Sequence, residues 1–400
     1  MKRRLSVLVL SQHPYDHVTL RRNSETLLRA GMFVDEVCMT DRWELGKVHQ
    51  TGLRRYGIPL RHRRTLIGYL LEYVGFLAWS FLVAGWLGLR RRYDAVQVDT
   101  LPDVLVFSAL VPRIRGARIL LYVYDLMPEM VASKLRCGPR HALVRIAAWM
   151  ESSATSWADQ VITVSDLFKR VMATRGLDGG KVTLVANSHP VEEVPYRPPA
   201  SPPWLVCQTS LIERYGVQVA IRAVAELKDR RPELLLKVLG EGEQQPELER
   251  LAESLGVRDR VYFSGRWLPW SEAMQLVRQG SVGIVPIISD GYGDMILPNK
   301  VLELAALDVP IASSDLRGIA EHFPADTISY FPPGDHVALA ERIDYLLDHA
   351  EEAGEQAERA KAVMELLSWR NASRHYLSAI RNNPAGMETP PAGADAFETT

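Results

Sequence analysis

Lys300 and Glu303 stand three residues apart in the run LPNKVLELAALDVPIASSD, Leu297 to Asp315, whose residue types suit recognition of a diphosphate and a sugar diol. Pro298 fits the first position of a helix, because its fixed φ suits that turn and its missing N–H would have no partner there. Leu302, Ala305 and Ala306 recur at helical spacing, and Val309 to Ala312 reads as a short buried strand. The first turn of such a helix, entered through Leu297, Pro298 and Asn299, offers free N–H groups and the positive end of a dipole. Lys300 adds a full charge beside them. Glu303, one turn further on the same face, can accept two hydrogen bonds from a ribose diol. The same residues would also serve as an ordinary amphipathic helix with a surface Lys and Glu.

Other candidates stand at the carboxyl ends of expected strands. Gly240 and Gly242 in Gly240-Glu241-Gly242-Glu243 let backbone approach a ligand, and the acidic pair is expected to begin a helix. Arg214, in Leu211-Ile212-Glu213-Arg214-Tyr215-Gly216, can meet a diphosphate with its planar fork, or else pair with a surface acid. Earlier in the chain, Asp125 and Glu129 follow an apolar strand and suit an acceptor hydroxyl, or the capping of a helix that contains Pro128. His13, Asp16 and Arg21 follow the first strand and are acceptor-side candidates. Arg266 and Trp267, after Gly265, are candidates for contact with a nucleobase.

Length and composition set the class. Four hundred residues exceed one ordinary core and imply two domains. A net charge of −1 gives no reason to expect nucleic acid. Cys38, Cys137 and Cys207 are isolated from one another, with no paired spacing, so neither a disulfide framework nor a metal site is expected, and a reducing cytoplasm fits. The apolar run Leu5 to Leu10 is too short for an export signal and reads as a first strand.

Tyr73 to Leu89 is uncharged and rich in Leu, Phe, Trp and Val, with Arg61, Arg63 and Arg64 before it and Arg90, Arg91 and Arg92 after. A span would put two basic clusters on opposite sides of the membrane and cut the strand at Val96 from its partners, so a crossing is rejected. A buried core helix and a helix lying in the membrane interface both remain. The arginines, Trp79 and Trp86 favour the interface for residues 66–92.

Short apolar strands alternate with helices along the chain, the pattern of parallel sheets built from βαβ units. First-domain strands are expected at Leu5–Leu10, Val34–Met39, Ala95–Val98, Ile119–Tyr124, Val161–Val164 and Val182–Val185. Those of the second domain are expected at Trp204–Cys207, Leu235–Leu239, Val261–Ser264, Val282–Pro286, Pro310–Ala312 and Ile328–Phe331. The expected division is a doubly wound domain over 1–187, a proline-rich linker over 188–203 and a second doubly wound domain over 204–365. A helix over 366–382 that can cross back to the first domain and a disordered tail over 383–400 complete it. In such sheets the ligand lies at the carboxyl ends of the strands, and the cleft between two such domains is the natural site.

Taken together, these residues resemble family 4 glycosyltransferases of the GT-B fold, over nearly the whole chain up to about residue 381. The most specific matches are LIERYG at Leu211–Gly216, GEG at Gly240–Gly242, VYFSG at Val261–Gly265 and the run Leu297–Asp315; YDLMPE at Tyr124–Glu129 and ADQVITVS at Ala158–Ser165 support them. The resemblance implies two Rossmann-like domains, with a nucleoside diphosphate sugar held by the second as co-substrate and an acceptor held by the first. It also implies no cofactor, no essential metal and retention of anomeric configuration. Carried over by position, Arg214 and Lys300 hold the diphosphate and Glu303 the ribose. Where the family usually has a Gly-Gly pair after the first strand, this chain has His13-Pro14-Tyr15-Asp16; where it has a His before the first-domain Asp, Tyr124 stands. Met295 replaces an acidic residue, so Asp294 or Asp290 is expected to contact the donor sugar, and Thr209 replaces a glycine. The expected enzyme works on a lipid-linked or polysaccharide acceptor in surface glycan assembly, in the cytoplasm at the inner membrane face. A nucleotide-sugar epimerase and a non-catalytic GT-B scaffold remain as alternatives.

Overall fold

The computed structural model describes residues 3–59, 66–187 and 201–383. They divide into two compact units, the first holding residues 3–132, 137–187 and 369–383 and the second residues 133–136 and 201–368. Most of the expected linker, the expected tail beyond Asn383, and Arg61, Arg63 and Arg64 lie outside the described residues.

In the first unit the strands are β1 Ser6–Pro14, β2 Phe33–Met39, β3 Glu44–Gln50, β4 Leu53–Ile58, β5 Ala95–Asp99, β6 Arg118–Val123, β7 Gln160–Thr163 and β8 Val182–Leu184. They pair in the order β3-β4-β2-β1-β5-β6-β7-β8, and only the β3–β4 hairpin is antiparallel. Central strands are near-continuous apolar runs because helices cover both faces; Val7 to Leu10 are fully buried. The hairpin was not expected. β3 is an edge strand exposed along most of its length, so it carries little apolar signal. β4 hides a buried charge, Arg55, which donates to Glu36 at 2.9 Å. β1 also runs to Pro14, with an irregular register after Leu10, so His13 belongs to the strand rather than to a loop.

The helices of this unit are α1 Val18–Arg29, α2 Leu66–Arg90, α3 Leu110–Ile114, α4 Met127–Lys134 (its last two residues counted with the second unit), α5 Ala142–Trp157 and α6 Asp166–Ala173. Helix α2 is the apolar segment, and from Leu71 to Arg90 it is long and apolar enough to span a membrane. It does not cross one, because β4 before it and β5 after it belong to one sheet. The choice between core and surface resolves by face: Phe76, Ser80, Ala84 and Leu87 are fully buried, whereas Leu71, Val74, Phe81, Leu82, Trp86 and Leu89 are exposed.

The second unit has β9 Trp204–Gln208, β10 Leu235–Leu239, β11 Val261–Phe263, β12 Val282–Val285, β13 Ile311–Ser314 and β14 Ser329–Phe331, ordered β11-β10-β9-β12-β13-β14 and parallel throughout. Its helices are α7 Val217–Leu227, α8 Gln245–Ser254, α9 Trp270–Arg278, α10 Asn299–Ala306, α11 Arg317–Ala320, α12 His336–Asp348 and α13 Ala350–Leu366. The strand order reverses between β9 and β12, which creates a crevice at their carboxyl ends.

Helix α14, Trp369–Arg381, belongs to the first unit. The break falls at Leu367-Ser368 rather than at 366, because α13 continues to Leu366 with Met364 buried in the second unit's core. Trp369 donates from its indole N–H to the Thr26 hydroxyl at 2.9 Å and lies 3.8 Å from the Arg22 guanidinium, and the Tyr376 hydroxyl donates to Gln97.

Candidate active site

Two loops leave the switch point of the second sheet. The first follows β9 and reaches α7 through Gly216, whose φ of +66° places it in the left-handed region. A Cβ there would stand 1.7 Å from the Pro286 carbonyl oxygen, on the loop after β12. Glycine therefore locks the two loops together, and the Ile288 N–H closes the join by donating to the Arg214 carbonyl at 2.9 Å. Gly216→Ala is expected to lose at least ~1–2 kcal/mol from the backbone alone, with the clash adding to it. A lowered urea midpoint and lost nucleotide binding would report this; an unchanged midpoint would count against the packing described.

Arg214 is held rather than free. Its Nε donates to Asp290 Oδ2 at 2.6 Å and its guanidinium lies 4.8 Å from the Tyr292 ring. Asp290 in turn accepts from the Gly293 N–H at 2.5 Å. Asp294 takes a different role: it accepts from the Ser289 hydroxyl at 2.9 Å and the Gly291 N–H at 3.0 Å, which fixes the turn. Of the two aspartates offered for the donor sugar, Asp290 stands beside the cation and Asp294 braces the loop.

Helix α10 begins at Asn299, with Pro298 one position earlier than expected, as the extended N-cap residue. Leu297 precedes it. Lys300 lies with its ammonium 3.6 Å from the centre of the Tyr215 ring. Burial pushes Lys300 down to about 8, while Cys207 and Glu303 oppose the shift. Burial also pushes Glu303 up to about 7, with Lys300 opposing. Both side chains keep some surface access yet are enclosed by protein, so each has a weak hold on its charge until a partner arrives.

Gly240 has a φ of +149°, and a Cβ on it would stand 1.9 Å from the Thr209 carbonyl oxygen; one on Gly242 would stand 2.4 Å from the Leu211 carbonyl oxygen. The turn is bound to the loop after β9 by the Leu211 N–H, which donates to the Glu241 carbonyl at 2.9 Å. Glu241 and Glu243 precede the helix instead of starting it: α8 begins at Gln245, with Glu247 as its first-turn acid. Beside this turn, Gln208, Leu239, Trp267, Leu268, Trp270 and Ala273 line a cavity of about 150 Å³. Trp267 was singled out from the sequence; Gln208, Leu268 and Trp270 were not, nor were Tyr215 and Tyr292. The aromatics flanking Arg214 and Gly265 were the available signal.

In the first unit, Asp125 follows β6 and is half-buried. His13 stacks on His17 with ring centres 3.9 Å apart. Asp16 is exposed in the turn before α1, and Arg21 is exposed with Glu25 3.7 Å away. Glu129 is committed elsewhere: it accepts from Arg175, which also donates to Glu151 at 2.6 Å. That ion cluster makes Glu129 a poorer acceptor-side candidate than Asp125.

A crevice at a Rossmann-type switch point, with a lysine and a carboxylate on one helix start and an apolar cavity beside, is the layout in which α/β folds commonly hold ligands. Comparison narrows the class. Residues 17–188 match the glycosyl transferase 4-like domain and residues 202–349 match glycosyl transferases group 1. The putative colanic acid biosynthesis glycosyltransferase WcaL of Escherichia coli is 27% identical over 190 residues, 46% of this chain and 47% of that protein. The GDP-mannose-dependent alpha-(1-6)-phosphatidylinositol monomannoside mannosyltransferase of Mycolicibacterium smegmatis is 32% identical over 121 residues, 30% of this chain and 31% of that one. The chain thus spans less than half the length of either relative. In structure, sucrose-phosphate synthase from Thermosynechococcus elongatus superposes with a TM-score of 0.74 at 17% identity, covering 96% of this chain and all of that one. The chain belongs to the family 4 glycosyltransferases of the GT-B fold.

Proposed function

We propose that this chain transfers a glycosyl group, with retention of configuration, from a nucleoside diphosphate sugar to a hydroxyl of a lipid-linked or polysaccharide acceptor in surface glycan assembly. The observation that carries this is the pairing on α10 of Lys300, the cation for a diphosphate, with Glu303, the acceptor for a diol, Lys300 lying over the ring of Tyr215, the residue that follows Arg214. The base enters the cavity lined by Trp267 and Trp270. As the bond from the anomeric carbon to the diphosphate oxygen breaks, charge grows on the leaving group, where Lys300, Arg214 and the N–H groups of the α10 start stabilise it. The acceptor oxygen forms the new bond to the anomeric carbon and passes its proton to a carboxylate, the role assigned to Asp125. Fixed cations and dipoles do this work without a metal or a cofactor. The relative named for a phosphatidylinositol mannoside supports a lipid acceptor. The outward apolar face of α2, with Arg90 and Arg92 at its end, supports a peripheral site on the cytoplasmic side of a membrane.

A thermal-shift panel of UDP-, GDP-, dTDP- and ADP-sugars tests the reading, since bound ligand raises apparent stability by mass action. One nucleotide class is expected to raise the melting temperature of the parent and not of Glu303→Ala. No shift with any donor would favour the scaffold. Nucleoside diphosphate release that rises with added acceptor separates the transferase from an epimerase.

A further inference from the structure

The outward face of α2 continues onto its neighbours. A Cβ added at Gly88 would stand 2.8 Å from the Pro112 ring, and one at Gly85 3.8 Å from Val111, so α3 lies directly against α2. Helix α3 is tied in turn to α5: Arg113 donates to the Trp157 carbonyl and its guanidinium lies 4.5 Å from that ring, which Phe107 also meets edge-on at 5.4 Å.

Helix α5 turns Val144, Ala147, Glu151 and Ala154 inward and leaves Leu143, Ile146 and Trp149 outside at helical spacing, with Trp149 68% exposed. Ile114, at the end of α3, is 76% exposed. Such large apolar side chains gathered on three adjoining helices mark an interaction face. The charges around them are mainly basic, and the exposed Asp159 beyond the end of α5 is taken up by Arg113 of α3 at 3.1 Å. Arg90, Arg92, Arg115, Arg140 and Arg145 are exposed, whereas Glu72 of α2 and Glu151 of α5 are buried and α3 has no acid.

We propose that α3 and α5 extend the α2 face into one lipid-docking surface, so that the protein lies on an anionic bilayer through three helices. The proposal rests on the membrane-surface reading of α2 and is independent of the donor site. A second copy is the wrong complement, because a two-fold interface would set this basic fringe against its own image. Anionic headgroups match the fringe while Trp149, Ile146 and Leu143 enter the acyl boundary. Two helices on either side of α3 would also fix the rotation of the first unit on the membrane, which α2 alone would leave free.

Cosedimentation with phosphatidylcholine vesicles, with and without phosphatidylglycerol, decides it. The variant Leu143→Ser/Ile146→Ser/Trp149→Ser is expected to partition into the anionic vesicles about tenfold less than the parent, at an unchanged melting temperature. Arg140→Glu/Arg145→Glu is expected to lose the preference for phosphatidylglycerol. Parent-like partitioning of both variants, with loss only in Phe81→Ser/Leu82→Ser/Trp86→Ser, would overturn the extension and leave the α2 reading standing. A parent that binds no vesicle would overturn both. A concentration-dependent dimer abolished by the α5 variant, with vesicle binding intact, would assign the face to a second copy instead.

Discussion

Lys300→Ala is expected to lower kcat/KM by about 10²–10³-fold, roughly 3–4 kcal/mol, the size of losing one donor aimed at a developing oxyanion. The position makes the effect large. The Lys300 ammonium sits over the Tyr215 ring at the start of α10, where the helix N–H groups already favour an anion. Burial weakens its own hold on the proton, so a diphosphate gains the full charge in a site poor in water. Lys300→Arg is not a neutral control, because a planar fork does not fill the place of a point charge over a ring. Steady-state rates with saturating acceptor, alongside nucleoside diphosphate affinity, check the prediction. A variant with near-parent kcat and kcat/KM would remove Lys300 from the machinery.

Much of this site was legible because helix entry, strand alternation and glycine turns are local. Pro298, Lys300 and Glu303 announce a helix start by type and spacing, and the structure moves that start by only one residue. Gly216 and Gly240 stand where no side chain fits. What was not legible depends on distant partners. Arg55 sits buried in β4 only because Glu36 of β2 receives it, so sequence pattern hid that strand. Glu129 looked like an acceptor-side carboxylate until Arg175, 46 positions later, claimed it. Asp290 and Asp294 are alike in sequence; only the fold gives one to Arg214 and the other to the loop backbone. The apolar run of α2 showed that a face needed covering, and the packing shows which residues the protein covers itself.

The second large effect belongs to Glu303. Glu303→Ala is expected to weaken donor binding by about 10²–10⁴-fold, since hydrogen bonds to a charged group contribute roughly 1.5–3 kcal/mol each and a diol offers two. The loss should be selective: the parent prefers ribose to 2′-deoxyribose diphosphates, and the variant treats them nearly alike. A variant that keeps the preference would place the diol elsewhere. The carboxylate also sets the pH dependence. With its pKa raised to about 7, Glu303 is largely protonated below that pH and cannot accept from both hydroxyls, so affinity falls as pH drops through 7. Lys300, lowered to about 8, becomes neutral above that pH in the unliganded protein, so affinity falls again on the alkaline side, where binding must take up a proton. Donor affinity measured by calorimetry from pH 6 to pH 9 should therefore peak between 7 and 8, with proton exchange of opposite sign on the two limbs: release below 7, uptake above 8. Glu303→Gln keeps the shape of the side chain but removes its titration, so it should flatten the acid limb and leave the alkaline one. If the acid limb survives that substitution, another group governs it and Glu303 is not the ribose ligand.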